Sequence, residues 1–148
     1  MIPDTVQNRN ASVWTREEIF PSVFGQGTDF VEDIIKAMRE RNWNDRDHFA
    51  VNLSVVEAIT NAIDHGNNCD PLKNVMVACK VSDDSVWVSV RDEGEGFSRD
   101  TIPDPTSPDC IELPGGRGIM LIHAFMTKVT FNETGNLIIM EKLRSPEV

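Results

Sequence analysis

Glu57, Asn61, Asp64 and Asn68 recur three or four residues apart in VVEAITNAIDHGNN, the stretch from Val55 to Asn68. At about 3.6 residues per turn they fall on nearly one meridian of a helix, with Val56, Ile59, Ala62 and Ile63 pointing elsewhere. A helix that faces only water mixes Lys with Glu, so a stripe of short acids and amides with no basic partner marks a place where something is held. An amide oxygen suits a hard cation such as Mg²⁺, and a carboxylate one turn away can take the proton of an incoming nucleophile. Two glycine-bearing stretches follow in a fixed order: Asp92-Glu93-Gly94-Glu95-Gly96-Phe97 after a predicted strand, and Gly115-Gly116-Arg117-Gly118 before a predicted helix. Glycines at a helix start let backbone N–H groups and the positive end of the helix dipole approach an anion closely, and phosphate is the natural guest. Neither the Gly-Lys-Ser/Thr phosphate loop nor the dinucleotide fingerprint is present.

The remaining elements must carry these residues. A first strand is expected over about Ser12 to Phe20, broken by Pro21 and Gly25-Gln26-Gly27. Thr28 or Asp29 can cap a helix to about Arg41, with Phe30, Ile34, Ala37 and Met38 as its apolar face. Asn44 or Asp45 can cap the next helix, expected to carry Phe49, Leu53, Val56 and Ile63 inward and to stop at Gly66. Asn74–Val81 and Ser85–Val90 read as a hairpin through Ser82-Asp83-Asp84. From Asp92 to Gly118 the apolar period disappears, as in a functional lid or a disordered segment. A helix from Ile119 to Met126 follows, then strands Lys128–Asn132 and Leu137–Leu143 around Glu133-Thr134-Gly135-Asn136. This order predicts an α+β two-layer sandwich, a mixed, mostly antiparallel sheet with helices on one face.

A chain of 148 residues suits one domain, and its formal net charge of −10 argues against a nucleic-acid partner. Apolar runs fall short of the roughly 20 residues of a membrane helix, and MIPDTVQNRN has no basic-then-apolar leader, so a cytoplasmic protein without a membrane partner is expected. Cys69, Cys79 and Cys110 are odd in number and widely spaced, as expected of reduced thiols rather than a disulfide framework or a zinc site.

EAITNAIDHGNN, RDEGEGF and GGRGIMLI, in this order, resemble the N box and the two glycine boxes of the GHKL ATP-binding superfamily, which holds gyrase, Hsp90, the histidine kinases and MutL. The short length and the TNAIDHG form look most like the anti-sigma-factor serine-protein kinases of bacterial partner-switching systems. The resemblance covers about Asp45 to Leu143 and implies a Bergerat-type sandwich with ATP between helix and lid. By it, Asn61 would bind the Mg²⁺ that bridges the phosphates, and Glu57 would be the general base or would orient the attacking hydroxyl or water. Asp92 would receive the adenine amino group, with Gly94 and Gly96 letting the chain pass close to the base. Gly116 and Gly118 would offer backbone contacts to phosphate beneath a lid from about Ser98 to Gly115. Phe97, Gly115, Arg117 and Ile119 in the same boxes, with Asp64 and His65 beside the stripe, complete the candidate cofactor-binding set. Asp64 reads either as a support for the metal or as an exposed acid, and His65 either as a helix-end residue or as a catalytic one.

The implied activity is a Mg-ATP serine/threonine-protein kinase that phosphorylates an anti-sigma-factor antagonist and, when free, binds a sigma factor; a homodimer is left open. Pro114 stands where some kinases of this family have an arginine before the glycine pair, and Arg117 either replaces that arginine or faces solvent. Two other functions fit the same boxes: a nucleotide-regulated binding module without phosphotransfer, and a detached histidine-kinase catalytic domain.

Overall fold

The computed structural model describes residues 13–94 and 116–146. Ser12, Gly96, Phe97, Cys110, Pro114 and Gly115, with the lid expected over 98–115, lie outside the described residues. The chain runs through β1 (Trp14–Pro21), α1 (Thr28–Glu40), α2 (Asp45–Asn61), a π-helical turn (Ala62–Gly66), β2 (Asn74–Val81), β3 (Ser85–Arg91), α3 (Gly116–Phe125), β4 (Lys128–Phe131) and β5 (Leu137–Leu143). The strands form one sheet in the order β1-β2-β3-β5-β4. Where a mixed sheet is expected, every pairing is antiparallel, because β2–β3 and β4–β5 are hairpins and β1 and β5 join them antiparallel at β2 and β3.

Period-two alternation decides which face of the sheet is covered. Val75, Val77, Cys79 and Val81 of β2, Val86, Val88 and Val90 of β3, and Ile138 and Met140 of β5 are buried. The helices supply Phe30, Ile34, Met38, Val51, Val55 and Ile63 to the same core, joined by Ile122 of α3. Each such large side chain contributes about 1.5–3 kcal/mol by leaving water. Cys79 belongs to this layer, and burial pushes its thiol up to about 12; Cys69 is exposed, and both are free.

Two helix expectations are corrected. The N-cap of α1 is Gly27, in the left-handed region at φ 86°, rather than Thr28 or Asp29, and the Thr28 hydroxyl instead donates to the Gly25 carbonyl at 2.9 Å. A Cβ at position 27 would also crowd Phe20 and Ile59, so the turn needs glycine for both conformation and space. In α2 the Asn44 cap holds, its side chain accepting from the Asp47 N–H at 2.8 Å. The buried stripe, however, is Asp47, Ala50, Val51, Ser54, Val55, Ala58 and Ile59. Phe49 and Val56 are exposed and Leu53 is half-buried, because they lie on the flank toward α3, where Phe49 meets Phe125 edge-on at 5.6 Å.

That stripe contains a carboxylate. Asp47 is wholly buried and accepts from the Ser145 N–H at 2.9 Å and the Ser145 hydroxyl at 2.6 Å, with Lys142 Nζ at 3.5 Å. Beside it the Arg144 guanidinium donates to the carbonyls of Arg41, Asn42 and Asp83 and stacks on Trp43. The segment after β5 is thus tied to the start of α2 and to the β2–β3 hairpin. Burial alone would raise the Asp47 pKa, but the Ser145 and Lys142 contacts outweigh it and hold the carboxyl below its ordinary value. A depressed folded-state pKa gives stability that is present above the unfolded value and lost as pH falls through the folded one. Asp47→Ala is expected to cost about 3 kcal/mol in denaturant titration near neutral pH, and the gap to wild type should narrow as pH falls through the lowered folded-state value.

Candidate functional site

The chemistry-bearing residues gather at the two ends of one stretch of helix. At the first end Glu57 and Asn61, both half-buried, face the opening turn of α3. Gly118 sits there: a Cβ on it would lie 2.7 Å from a Glu57 carboxylate oxygen and 3.0 Å from the Asn61 amide nitrogen. The helix pair can close to this separation because position 118 carries no side chain. A carboxylate, an amide and the positive end of a helix thereby converge on one point, although 57 residues separate Asn61 from Gly118 in the chain (118 − 61).

Beyond Asn61 the helix widens. Ala62 to Gly66 form a π turn, closed by the Asn67 N–H donating to the Ala62 carbonyl at 2.9 Å. Asn68 and Cys69 then take positive φ values of 53° and 55° and reverse the chain. The expected meridian therefore breaks after Asn61. Asp64 turns to its own neighbours, His65 Nε2 at 3.3 Å and the Cys69 thiol at 3.7 Å, and Asn68 stands exposed outside the helix. The helical stretch ends at Gly66 as expected, although not through a left-handed glycine, since its φ is not positive. Its missing side chain makes room for Asp92.

At this second end the Asp92 carboxylate packs against the Gly66 Cα, where an added Cβ would fall well inside van der Waals contact with both its oxygens. Gly94 lies against the Gly66 carbonyl with no space for a Cβ of its own, and its N–H donates to Asp92 Oδ1 at 2.8 Å. One carboxylate oxygen is thus engaged within the loop. The charge is half-buried, and burial pushes the Asp92 pKa up, against smaller opposing effects of the Gly94 N–H and Lys73. The Asp92 N–H donates to the Asn136 carbonyl at 2.9 Å, which ties the site to the turn between β4 and β5.

Of the other candidates, Gly116 opens α3, with Arg117 in its first turn and Ile119 half-buried in it. Sequence reasoning missed Gly66 as a spacer, and it missed Asn67. Asn67 is completely buried next to exposed Asn68 and Cys69 and bonds three separate segments. A signal was present, an amide directly after Gly66 at the end of a polar stripe, but no local pattern distinguishes it from an ordinary turn residue.

A family model described as the histidine kinase-like ATPase domain matches residues 28–142, so it takes in both ends of the site. The chain belongs to this family. Among its relatives, the serine-protein kinase RsbW of Oceanobacillus iheyensis is 32% identical over 102 residues, 64% of this chain and 65% of that protein. An anti-sigma F factor of the same organism is 34% identical over 93 residues, covering 60% and 64%. An anti-sigma F factor of Geobacillus thermodenitrificans is 37% identical over 84 residues, covering 55% and 58%. The matched stretches thus span less than two thirds of these relatives' length. A crystal structure of the RsbU and RsbW domains of a Mycobacterium tuberculosis protein superposes on 90% of this chain and 33% of that one with a TM-score of 0.60 at 14% identity, a likeness of fold. An RsbW-like GHKL sandwich is the architecture, as the three boxes imply.

Gly66→Ala should therefore act on Asp92 rather than on the helix. In this histidine kinase-like ATPase domain it is expected to weaken binding of a fluorescent ATP analogue by about 100-fold. Far-UV circular dichroism should stay unchanged, because Ala is the better helix former.

Proposed function

We propose that this chain is a serine/threonine-protein kinase that uses Mg-ATP to phosphorylate an anti-sigma-factor antagonist and that binds a sigma factor when free. The observation that carries this reading is the convergence of Glu57, Asn61 and Gly118 on one point, with Asp92 at the far end of the same helix. The relatives' names, a serine-protein kinase and anti-sigma factors, agree with it.

The residues fit the ligand. Gly118 lets Glu57 and Asn61 lie directly against the N-terminus of a ten-residue helix, and backbone N–H groups there can take phosphate oxygens. Asn61 offers an amide oxygen at the same place, which suits a cation that keeps most of its ligands from phosphate and water. Mg²⁺ bound there would neutralise phosphate charge as it develops. Asp92 keeps one carboxylate oxygen outside its bond to Gly94 for the adenine amino group. Glu57 accepts the proton of the acceptor serine or threonine hydroxyl as that oxygen bonds to the terminal phosphorus and the bond to the leaving ADP oxygen breaks. No helix among the described residues is long and apolar enough to cross a membrane, consistent with a cytoplasmic role.

Incubation with Mg-ATP and an antagonist protein should label a serine or threonine of that partner. Glu57→Gln should lower the rate by about 10²- to 10⁴-fold while ATP binding persists, and Asn61→Ala should remove the Mg²⁺ dependence of binding. Labelling that survives Glu57→Gln would take that residue out of the role. Tight ATP binding with no transfer to any partner would favour the binding module instead, and label on a partner histidine would favour the histidine-kinase reading.

The pH dependence follows from Asp92. The group that receives an amino donor must be ionised, and burial raises its pKa even with Lys73 nearby. ATP affinity measured by calorimetry should therefore fall on acidification, with a midpoint above that of an ordinary aspartate, and Asp92→Asn should remove that step.

A further inference from the structure

We propose that Asn67 is the positioning residue that makes the site selective for adenine over guanine, by fixing the direction in which Asp92 presents its free oxygen. The proposal rests on the adenine-site reading above and adds to it a residue outside the recognised boxes' ligand contacts.

Asn67 has no exposed surface, although His65, Asn68 and Cys69 around it are exposed. Its side chain engages both N–H donors and its carbonyl oxygen with backbone and hydroxyl partners from three different segments. Oδ1 accepts from the Glu93 N–H at 2.8 Å, and Nδ2 donates to Ser22 Oγ at 2.8 Å and to the Asn74 carbonyl at 2.9 Å. The Ser22 hydroxyl passes the chain on to the Lys73 carbonyl at 2.8 Å, and the Glu93 carboxylate accepts from the Asn74 N–H. The end of β1, the start of β2 and the exit of β3 are thereby joined through one amide.

Glu93 is the link to recognition. Its N–H belongs to the Asp92–Glu93 peptide, so holding it fixes Asp92 from its C-terminal side and sets the course of the chain into Gly94, whose N–H occupies Asp92 Oδ1. On the other side the Asp92 N–H is tied to Asn136. With both flanks of the residue held, Asp92 has one oxygen left and one direction for it. Adenine offers an amino donor at the position where guanine offers a carbonyl oxygen, so a singly aimed acceptor attracts one base and repels the other. If Glu93 is released, Gly94 can let go of Oδ1, and the carboxylate is free to turn away from the amino group.

The test uses the full chain and a fluorescent ATP analogue displaced by ATP or GTP. Asn67→Ala is expected to weaken ATP binding by about 10- to 100-fold and GTP binding by much less, so that the ATP-to-GTP preference collapses. In an Asp92→Asn background the same change should add less than about 2-fold, since both act through one group. Equal losses for ATP and GTP, or losses that multiply independently with Asp92→Asn, would overturn the proposal and leave Asn67 as a structural clamp. Ser22→Ala removes one partner and keeps the Glu93 and Asn74 bonds. Should Asn67→Ala give no cooperative melting transition, Ser22→Ala is expected to reduce the ATP-to-GTP preference by a few-fold, and an unchanged preference would overturn the proposal. Wild type that binds ATP selectively beside an Asn67→Ala variant that does the same rejects Asn67 alone; wild type that binds no ATP rejects the adenine reading with it.

Discussion

Close approach of backbone to side chain, at positions where a Cβ is missing, is the constraint on which the rest of this structure depends. Gly118 lets α3 bring its N-terminus against Glu57 and Asn61, Gly66 lets Asp92 lie on the helix, and Gly94 lets the loop after β3 fold onto Gly66. Packed interiors tolerate very little added volume, so each absence sets a distance. None of these three glycines adopts a positive φ, unlike Gly25, Gly27 and Gly135. They serve space, and the turn glycines serve conformation.

The scaffold around that approach is an antiparallel sheet whose buried face is largely valine, with two helices laid on it and α3 held at their side. Its polar anchors are few. Asp47 and Arg144 secure the chain after β5, and Asn67 secures the loops nearest the recognition end. Buried polar groups are costly unless every valence is met, and Asp47 and Asn67 have theirs met by partners from distant segments. Each acts as a check on long-range register that apolar packing alone would not supply.

Much of this was legible in the sequence, for physical reasons that differ by element. β2 and β5 were read to the residue because alternation along a half-buried strand is a local signal. The apolar face of α1 was read for the same reason at helical period, as Phe30, Ile34, Ala37 and Met38 are all buried. The inward face of α2 was misread because Phe49 and Val56 are apolar toward a second helix rather than the sheet, and hydropathy does not say which neighbour a side chain meets. The straight meridian through Asp64 and Asn68 failed because a π turn has no reliable sequence mark. Glu57, Asn61, Asp92 and Gly118 were singled out by the helix stripe and the order of three boxes, and the fold packs Gly118 on Glu57 and Asn61 and Asp92 on Gly66. Gly66 and Asn67 gain their meaning only from Asp92 and Glu93, more than 20 residues away (92 − 66 = 26; 93 − 67 = 26).

The π turn also makes the helix a measuring device. Nine residues separate Glu57 from Gly66, a rise of about 13 Å, and the wide turn at its end sets the angle between the two faces as well as the distance. Loops elsewhere can lengthen without altering either quantity. One residue inserted or removed between Ala62 and Gly66 would swing Gly66 and Asn67 around the axis by about 100° and carry Asp92's seat out of line with Glu57, though every side chain of the site were still present. In this stretch the count of residues is as much a part of the site as their identity.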